Sequence, residues 1–209
     1  WNMCPEALET AIKHFIKRGK KPKAILVVHL YGMPAKMKEI GALSERYGIP
    51  IIEDAAEALG SSIDGQACSS FGAFGILSFN GNKIITTSGG GALQSNDEAA
   101  VAKARFLATQ AKDNAPHYEH STVGYNYRMS NIAAAIGVGQ LQVLDARVAA
   151  RRANYRFYED LFKNIDGVQF LDEPQGFISN RWLSCILLEQ SENKKLNSEH
   201  FRLHLEQDN

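Results

Sequence analysis

Neither sign of charge prevails in this chain: 23 Lys and Arg stand against 23 Asp and Glu, for a formal net charge of zero. Such a balance offers no polyanion-binding surface, so no nucleic-acid partner is expected. Long apolar runs are missing too. No stretch reaches the ~18 to 20 consecutive apolar residues of a spanning helix, and the opening residues lack the basic, apolar and small-residue order of an export signal. No membrane partner is therefore expected, and the cytoplasm is the expected compartment. Cysteine is scarce. The three residues Cys4, Cys68 and Cys185 have no CxxC spacing, leave one unpaired in any disulfide scheme and lack a nearby His pair for a metal site. They read as reduced thiols, with no metal bound. A methionine at position 1 is also absent: the chain opens "WNMCPEALETAIKHF" and closes "HLEQDN" straight after a helical pattern. That points to a fragment of a longer protein.

What is present is a 209-residue chain with 44% hydrophobic residues, enough to bury a sizeable core in one domain or two. Pro5 to about Lys17 places Leu8, Ile12 and Phe15 at helical spacing, with Pro5 suited to a first turn. The basic stretch "KRGKKPK" reads as a solvated helix end. "AILVVHL" is a continuous apolar run suited to a strand buried on both faces. The segment "PAKMKEIGALSERYG" spaces Met37, Ile40, Leu43 and Tyr47 helically and stops at Gly48. "IPIIEDAA" is a second buried strand, which completes a βαβ unit and implies a parallel sheet flanked by helices. Further strands are read in "FGILSFN" and "GGALQS". A helix follows over Asp97 to about Gln110, with Asn96 as its cap. The polar, aromatic segment "AKDNAPHYEHSTVGYNYRM" has no periodicity, and loops of that length are often functional. Ser130 or Asn131 can cap a helix running to about Ile165, a rod of about 50 Å. The α/β fold expected is thus a large part over 1–130, a connecting helix over 131–165 and part of a smaller α+β domain over 166–209.

In an open parallel sheet, ligands bind beyond the carboxyl ends of the strands. "IPIIED" delivers Glu53 and Asp54 there, followed by Glu57, and "FGILSFN" delivers Ser78 and then Lys83. A carboxylate and an amine at one rim can be a structural ion pair. They can equally serve pyridoxal phosphate chemistry, in which a lysine forms a Schiff base and a carboxylate keeps the ring nitrogen protonated. Asp54 is the candidate for that nitrogen. Ser78 and the turns around Gly81 and Ser88 to Gly91 could supply hydroxyl and N–H groups to a phosphate.

"HLYGMPAKMKEI", "IIEDAAEALG", "SFNGNKIITTSGGG" and "GYNYRMSNIAAAIG", in this order, resemble the motif series of the DegT/DnrJ/EryC1/StrS family of nucleotide-sugar aminotransferases. The resemblance runs from about residue 1 to residue 165 and implies the fold-type-I pyridoxal-phosphate architecture. It implies that Lys83 forms the Schiff base, that Asp54 pairs with the pyridine nitrogen and that Glu57 lies beside the ring. It also implies that Ser78 binds the phosphate. Asn126 matches an asparagine that reaches the phosphate of a neighbouring subunit's cofactor, so a homodimer is expected. Arg128 lies in the same motif without an assigned role. "SNRWLSCILL" resembles the subgroup acting on UDP-4-keto-6-deoxy-N-acetylglucosamine, with glutamate as the expected amino donor. Members of the family are close to twice this length, so parts before Trp1 and after Asn209 are expected to be missing.

Blander readings stand beside these. His29 closes a strand, where a lone histidine is more often a hydrogen-bonded structural residue than a ligand contact. His117 and His120 lack a third ligand nearby. The glycines of "TSGGGAL" suit a tight turn as well as a phosphate. Trp182 either fills a core or faces substrate. Two rival functions remain: a keto-sugar dehydratase, which carries His in place of the Schiff-base lysine and is disfavoured by Lys83, and a non-catalytic sugar-nucleotide binding or regulatory protein in which Lys83 and Asp54 form a structural pair.

Overall fold

The computed structural model describes residues 1–189 and 197–207. The chain opens with helix α1 (Pro5–Lys17), Pro5 occupying its first turn, where a missing N–H removes no helical hydrogen bond. Strand β1 (Ile25–Val28) follows, then a short 3-10 turn at Leu30–Gly32, helix α2 (Met37–Tyr47) and strand β2 (Ile51–Asp54). Helix α2 ends on Gly48 at φ 57°, a left-handed conformation that glycine adopts without strain. Two short strands, β3 (Ser62–Ile63) and β4 (Gln66–Ala67), precede β5 (Phe74–Ser78) and β6 (Gly91–Gln94).

The principal sheet has the order β1-β2-β5-β6. β1, β2 and β5 run parallel, as the βαβ pattern requires, whereas β6 is antiparallel to β5. Ile25, Val27 and Ile51 turn to one face and pack with Ile12 of α1 and with Met37 and Ile40 of α2. Burying a side chain such as Ile40 completely contributes about 1.5–3 kcal/mol. The opposite face differs from the expectation of strands buried on both sides. Leu26 is 56%, Val28 37%, Ile76 38% and Leu93 43% exposed, because α1 and α2 both lie against the first face.

Beyond the sheet come α3 (Glu98–Ala108), α4 (Asn131–Leu141) and α5 (Leu144–Phe162). Asp97, not Asn96, caps α3, its carboxylate accepting from the Ala100 N–H at 2.9 Å. Ser130 caps α4, its hydroxyl accepting from the Ala133 N–H. The single rod expected over 131–165 is broken: α4 and α5 meet at a bend of 62°. The Val143 N–H bonds to the Gln140 carbonyl at 3.2 Å, a tightened turn that redirects α5. Leu144 and Val148 then pack beside Leu59, Phe79, Ile84 and Ile85. That tertiary contact outweighs the cost of the break.

Strands β7 (Val168–Phe170), β8 (Phe177–Ile178) and β9 (Ile186–Leu188) and helix α6 (Ser198–Gln207) complete the described chain. β7 pairs with β9, and β8 adds to β3 in a three-stranded sheet, so residues beyond 166 are tied directly to those before 70. Positions 190–196 and 208–209 of the expected small domain lie outside the described residues. Among the described residues no single helix is long and apolar enough to cross a membrane.

Candidate active site

The ends of β2 and β5 bring Asp54 and Ser78 to one rim. Asp54 stands opposite Ile76, and Ser78 lies two residues further along β5. Residues opposite one another, and residues two apart, share a face of the sheet. With strands ~4.8 Å apart and ~3.3 Å per residue, the two backbones are about 8 Å apart on that common face. It is the face lined by Val28, Ile76 and Leu93. Asp54 Oδ1 accepts the Ala56 N–H at 3.1 Å; its second carboxylate oxygen has no hydrogen-bond partner among the described residues. Among the described residues the Ser78 hydroxyl accepts only a long bond, 3.4 Å, from the Asn80 N–H.

Lys83 lies in the turn after β5, its backbone N–H held by the Asn80 carbonyl at 3.1 Å. Its side chain is 13% exposed, with Nζ 3.7 Å from Glu57 Oε1 and 4.5 Å from the centre of the Trp182 ring. Glu57 Oε2 accepts the Tyr31 N–H at 2.7 Å, and Tyr31 is itself in the left-handed region at φ 57°. A bulky residue held there costs of order 1 kcal/mol. Glu57 thus couples a strained backbone position to the amine. No ion pair joins Lys83 to Asp54, so the two are not the structural pair that a non-catalytic reading requires.

Glu53, next to Asp54, turns to the opposite face and is wholly buried. Its carboxylate accepts from the N–H groups of Ser69 (2.8 Å), Phe71 (2.6 Å) and Gly72 (2.6 Å). His29 supplies a fourth bond: Nδ1 accepts from the Ala35 N–H, so the ring proton sits on Nε2 and is donated to Glu53 Oε2 at 2.9 Å. Burial pushes the Glu53 carboxyl up, but the bonds from His29, Gly72 and Ser69 outweigh it and leave its pKa lowered. His29 is therefore a structural residue that anchors the loop behind the site. Cys68, nearby, has its thiol pushed up to about 12 by burial and by Glu53. All three cysteines are free thiols.

Sequence reasoning flagged Trp182 without placing it, and it missed Asn180. Asn180 is wholly buried and donates to the carbonyls of Glu57 at 2.8 Å and Leu59 at 2.9 Å. Its own side-chain oxygen accepts the Trp182 N–H at 2.9 Å. Arg152 grips Glu173 with both terminal guanidinium nitrogens and also donates to the Ser179 carbonyl at 2.6 Å, which pins the start of this segment. The signal was present in "SNRW", whose polar residues all become buried, but nothing local marks the partners of Asn180, more than a hundred positions away. Gly32, at φ +84°, makes room: a Cβ there would come 1.9 Å from Asn180 Oδ1. Gly32→Ala is expected to destabilise the protein by about 2–4 kcal/mol through backbone strain and overpacking, measured as a lowered denaturant midpoint. An unchanged midpoint would show that Asn180 is not held as described.

Asn126 is not part of this cluster. It is exposed, bridged through its backbone to Thr109, between Tyr125 and Tyr127, whose rings stack at 5.0 Å. Arg128 is exposed as well. His117 faces Glu119 at 3.5 Å, His120 contacts the Gln110 carbonyl, and no group of three or more His, Cys, Asp or Glu among the described residues could hold a metal ion.

A mostly parallel sheet flanked by helices, with a lysine, a carboxylate and a hydroxyl at or just beyond its carboxyl rim, has the fold-type-I architecture of pyridoxal-phosphate-dependent transferases. The chain belongs to the DegT/DnrJ/EryC1/StrS aminotransferase family, which it matches over residues 1–208. It is 54% identical over 189 residues to EpsN of Bacillus subtilis, provisionally named a pyridoxal phosphate-dependent aminotransferase, covering 90% of this chain and 49% of that protein. It is 36% identical to a GDP-perosamine synthase of Escherichia coli O157:H7, covering 93% of this chain and 51% of the relative. A crystal structure of a DegT DnrJ EryC1 StrS aminotransferase from Brucella abortus superposes with a TM-score of 0.88 at 33% identity, covering 100% of this chain and 54% of that one. The chain therefore spans about half the length of the relatives it matches.

Proposed function

We propose that the full-length protein is a pyridoxal phosphate-dependent aminotransferase that moves an amino group from glutamate to C4 of a nucleotide-linked 4-keto-6-deoxy sugar such as UDP-4-keto-6-deoxy-N-acetylglucosamine. The observation that carries this reading is a recessed lysine amine in the turn directly after β5, the strand whose end shares one sheet face with the Asp54 carboxylate and carries the Ser78 hydroxyl. The donor set fits the cofactor. Asp54 has a carboxylate oxygen free to accept a ring N–H, Ser78 has a hydroxyl with spare hydrogen-bonding capacity for a phosphate, and Lys83 supplies the amine. When bound, the cofactor serves as the electron sink and amino-group carrier. Asp54 would keep its ring nitrogen protonated, Ser78 would hold its phosphate, and Glu57 would lie beside the ring. Lys83 holds and moves the proton at Nζ as general base and acid, while Glu57 and Trp182 screen that atom from water.

Asn126 would reach the cofactor phosphate of a partner subunit, which makes the active unit a homodimer. The exposure of Asn126, together with that of Ile132, Ile136 and Val138 on the adjoining helix, supports this placement. The UDP-linked substrate rests on "SNRWLSCILL", and the similarity to a GDP-sugar enzyme makes the nucleotide the point to test. The full-length protein, given pyridoxal phosphate and glutamate, is expected to convert the UDP-linked 4-keto sugar to an amino sugar with release of 2-oxoglutarate, read by mass spectrometry. Amination of only the GDP-linked sugar would overturn the nucleotide assignment. Amination of no keto sugar would overturn the activity.

A further inference from the structure

We propose that Trp182 is a positioning residue for the Lys83 amine, a role that rests on the reading of Lys83 as the reactive group. One side chain makes two contacts with the lysine turn. Trp182 Nε1–H donates to the carbonyl of Asn82 at 2.7 Å, the residue immediately before Lys83, and its ring face lies 4.5 Å from Nζ. The first contact fixes the backbone from which the lysine springs, and the second fixes the far end of its flexible stem. An ammonium over an indole face is attracted by the ring quadrupole, so the contact favours one location for the amine instead of the many rotamers a four-carbon chain can sample.

The amine's second neighbour, Glu57, is held by the same segment. Asn180 donates to the Glu57 backbone carbonyl and accepts from the Trp182 backbone N–H, so one buried amide holds the backbone positions that carry both the carboxylate and the indole near Nζ. The segment over 179–182 is thereby bolted to the loop that follows β2. Arg181, in the left-handed region at φ 52°, lies over the Tyr155 ring at 3.7 Å and donates to the Leu171 carbonyl at 2.8 Å. This holds the segment from behind. An amine that must leave and return during each turnover needs such a resting place whenever it is not covalently engaged. A tryptophan that merely filled volume would need neither the Nε1–H bond nor the lysine over its face.

The test uses the full-length protein without added cofactor and measures acylation of Lys83 by acetic anhydride through peptide mass spectrometry, with exposed Lys13 as the internal control. Trp182→Leu is expected to speed Lys83 acylation about fivefold, equivalent to the loss of about 1 kcal/mol of cation–π attraction, and to leave Lys13 unchanged. In the loaded enzyme it lowers kcat more than it changes KM. Trp182→Phe, which retains a weaker aromatic face and loses the N–H donor, is expected to fall between the two. Folded Trp182→Leu protein in which Lys83 reacts at the wild-type rate overturns the proposal; should that variant not fold, a wild-type rate in Trp182→Phe does the same. Failure of the underlying reading is separable. A cofactor absorbance band that survives Lys83→Ala removes the catalytic role of Lys83 whatever the acylation rates show.

Discussion

Lys83→Ala in the full-length protein is expected to abolish the visible absorbance band formed with pyridoxal phosphate and to lower kcat by about 10⁴-fold or more, the upper end of what a positioned acid–base group contributes. The reason lies in the surroundings of the amine. Nζ is recessed beside Glu57 and Trp182, and no other lysine lies on the stretch from β2 to β6. The loss should be one of chemistry and not of folding. Lys83 makes one ion pair and one cation–π contact, together worth about 1 kcal/mol, so thermal unfolding of the variant should stay within a few degrees of the parent. Retention of the absorbance band and of activity within tenfold would end the assignment of Lys83 as the Schiff-base residue. Lys83→Arg serves as a stricter companion: it keeps the charge yet cannot supply a neutral amine.

Glu53→Gln carries the largest expected loss of stability, about 3–5 kcal/mol, the cost of breaking a buried charge-assisted network. Four donors converge on this carboxylate, and glutamine would turn an amide NH₂ towards some of them. Because the Glu53 pKa is lowered in the folded protein, its stabilising contribution is fully present above the usual carboxylate range. It is lost as the pH falls through that lowered value. The stability gap between parent and Glu53→Gln, measured by urea denaturation, should therefore be wide at neutral pH and narrow in acid. Equal denaturation midpoints across that range would mean that Glu53 does not organise the loop at 69–72. Activity should fall with stability, since Asp54 is the next residue on the same strand.

The strand ends that carry the candidate site were legible because they are local. Asp54 and Ser78 end strands whose apolar runs announce them, and the fold class follows from the alternation of those runs with α2. The register, Asp54 opposite Ile76, adds what the runs could not: it puts Asp54 and Ser78 on one face and Glu53 on the other. The long helix failed for a physical reason. Residues 131–162 keep an approximate helical spacing straight through Val143, and only the packing of Leu144 and Val148 on Leu59 and Ile85 makes a bend favourable. The cap of α3 missed by one position, Asp97 in place of Asn96, since both side chains can accept the same bond and the backbone decides between them.

By itself the sequence determined the βαβ order, the family, and the residue types that reach the sheet's carboxyl rim, because periodicity and short motifs are properties of neighbouring positions. The tertiary structure alone decided that Glu57, and not Asp54, faces the Lys83 amine, that Trp182 lies against it, and that Asn180 sets both. The Trp182 and Asn180 contacts join positions a hundred or more residues apart, and their energies depend on burial and on donor–acceptor geometry that no local pattern records.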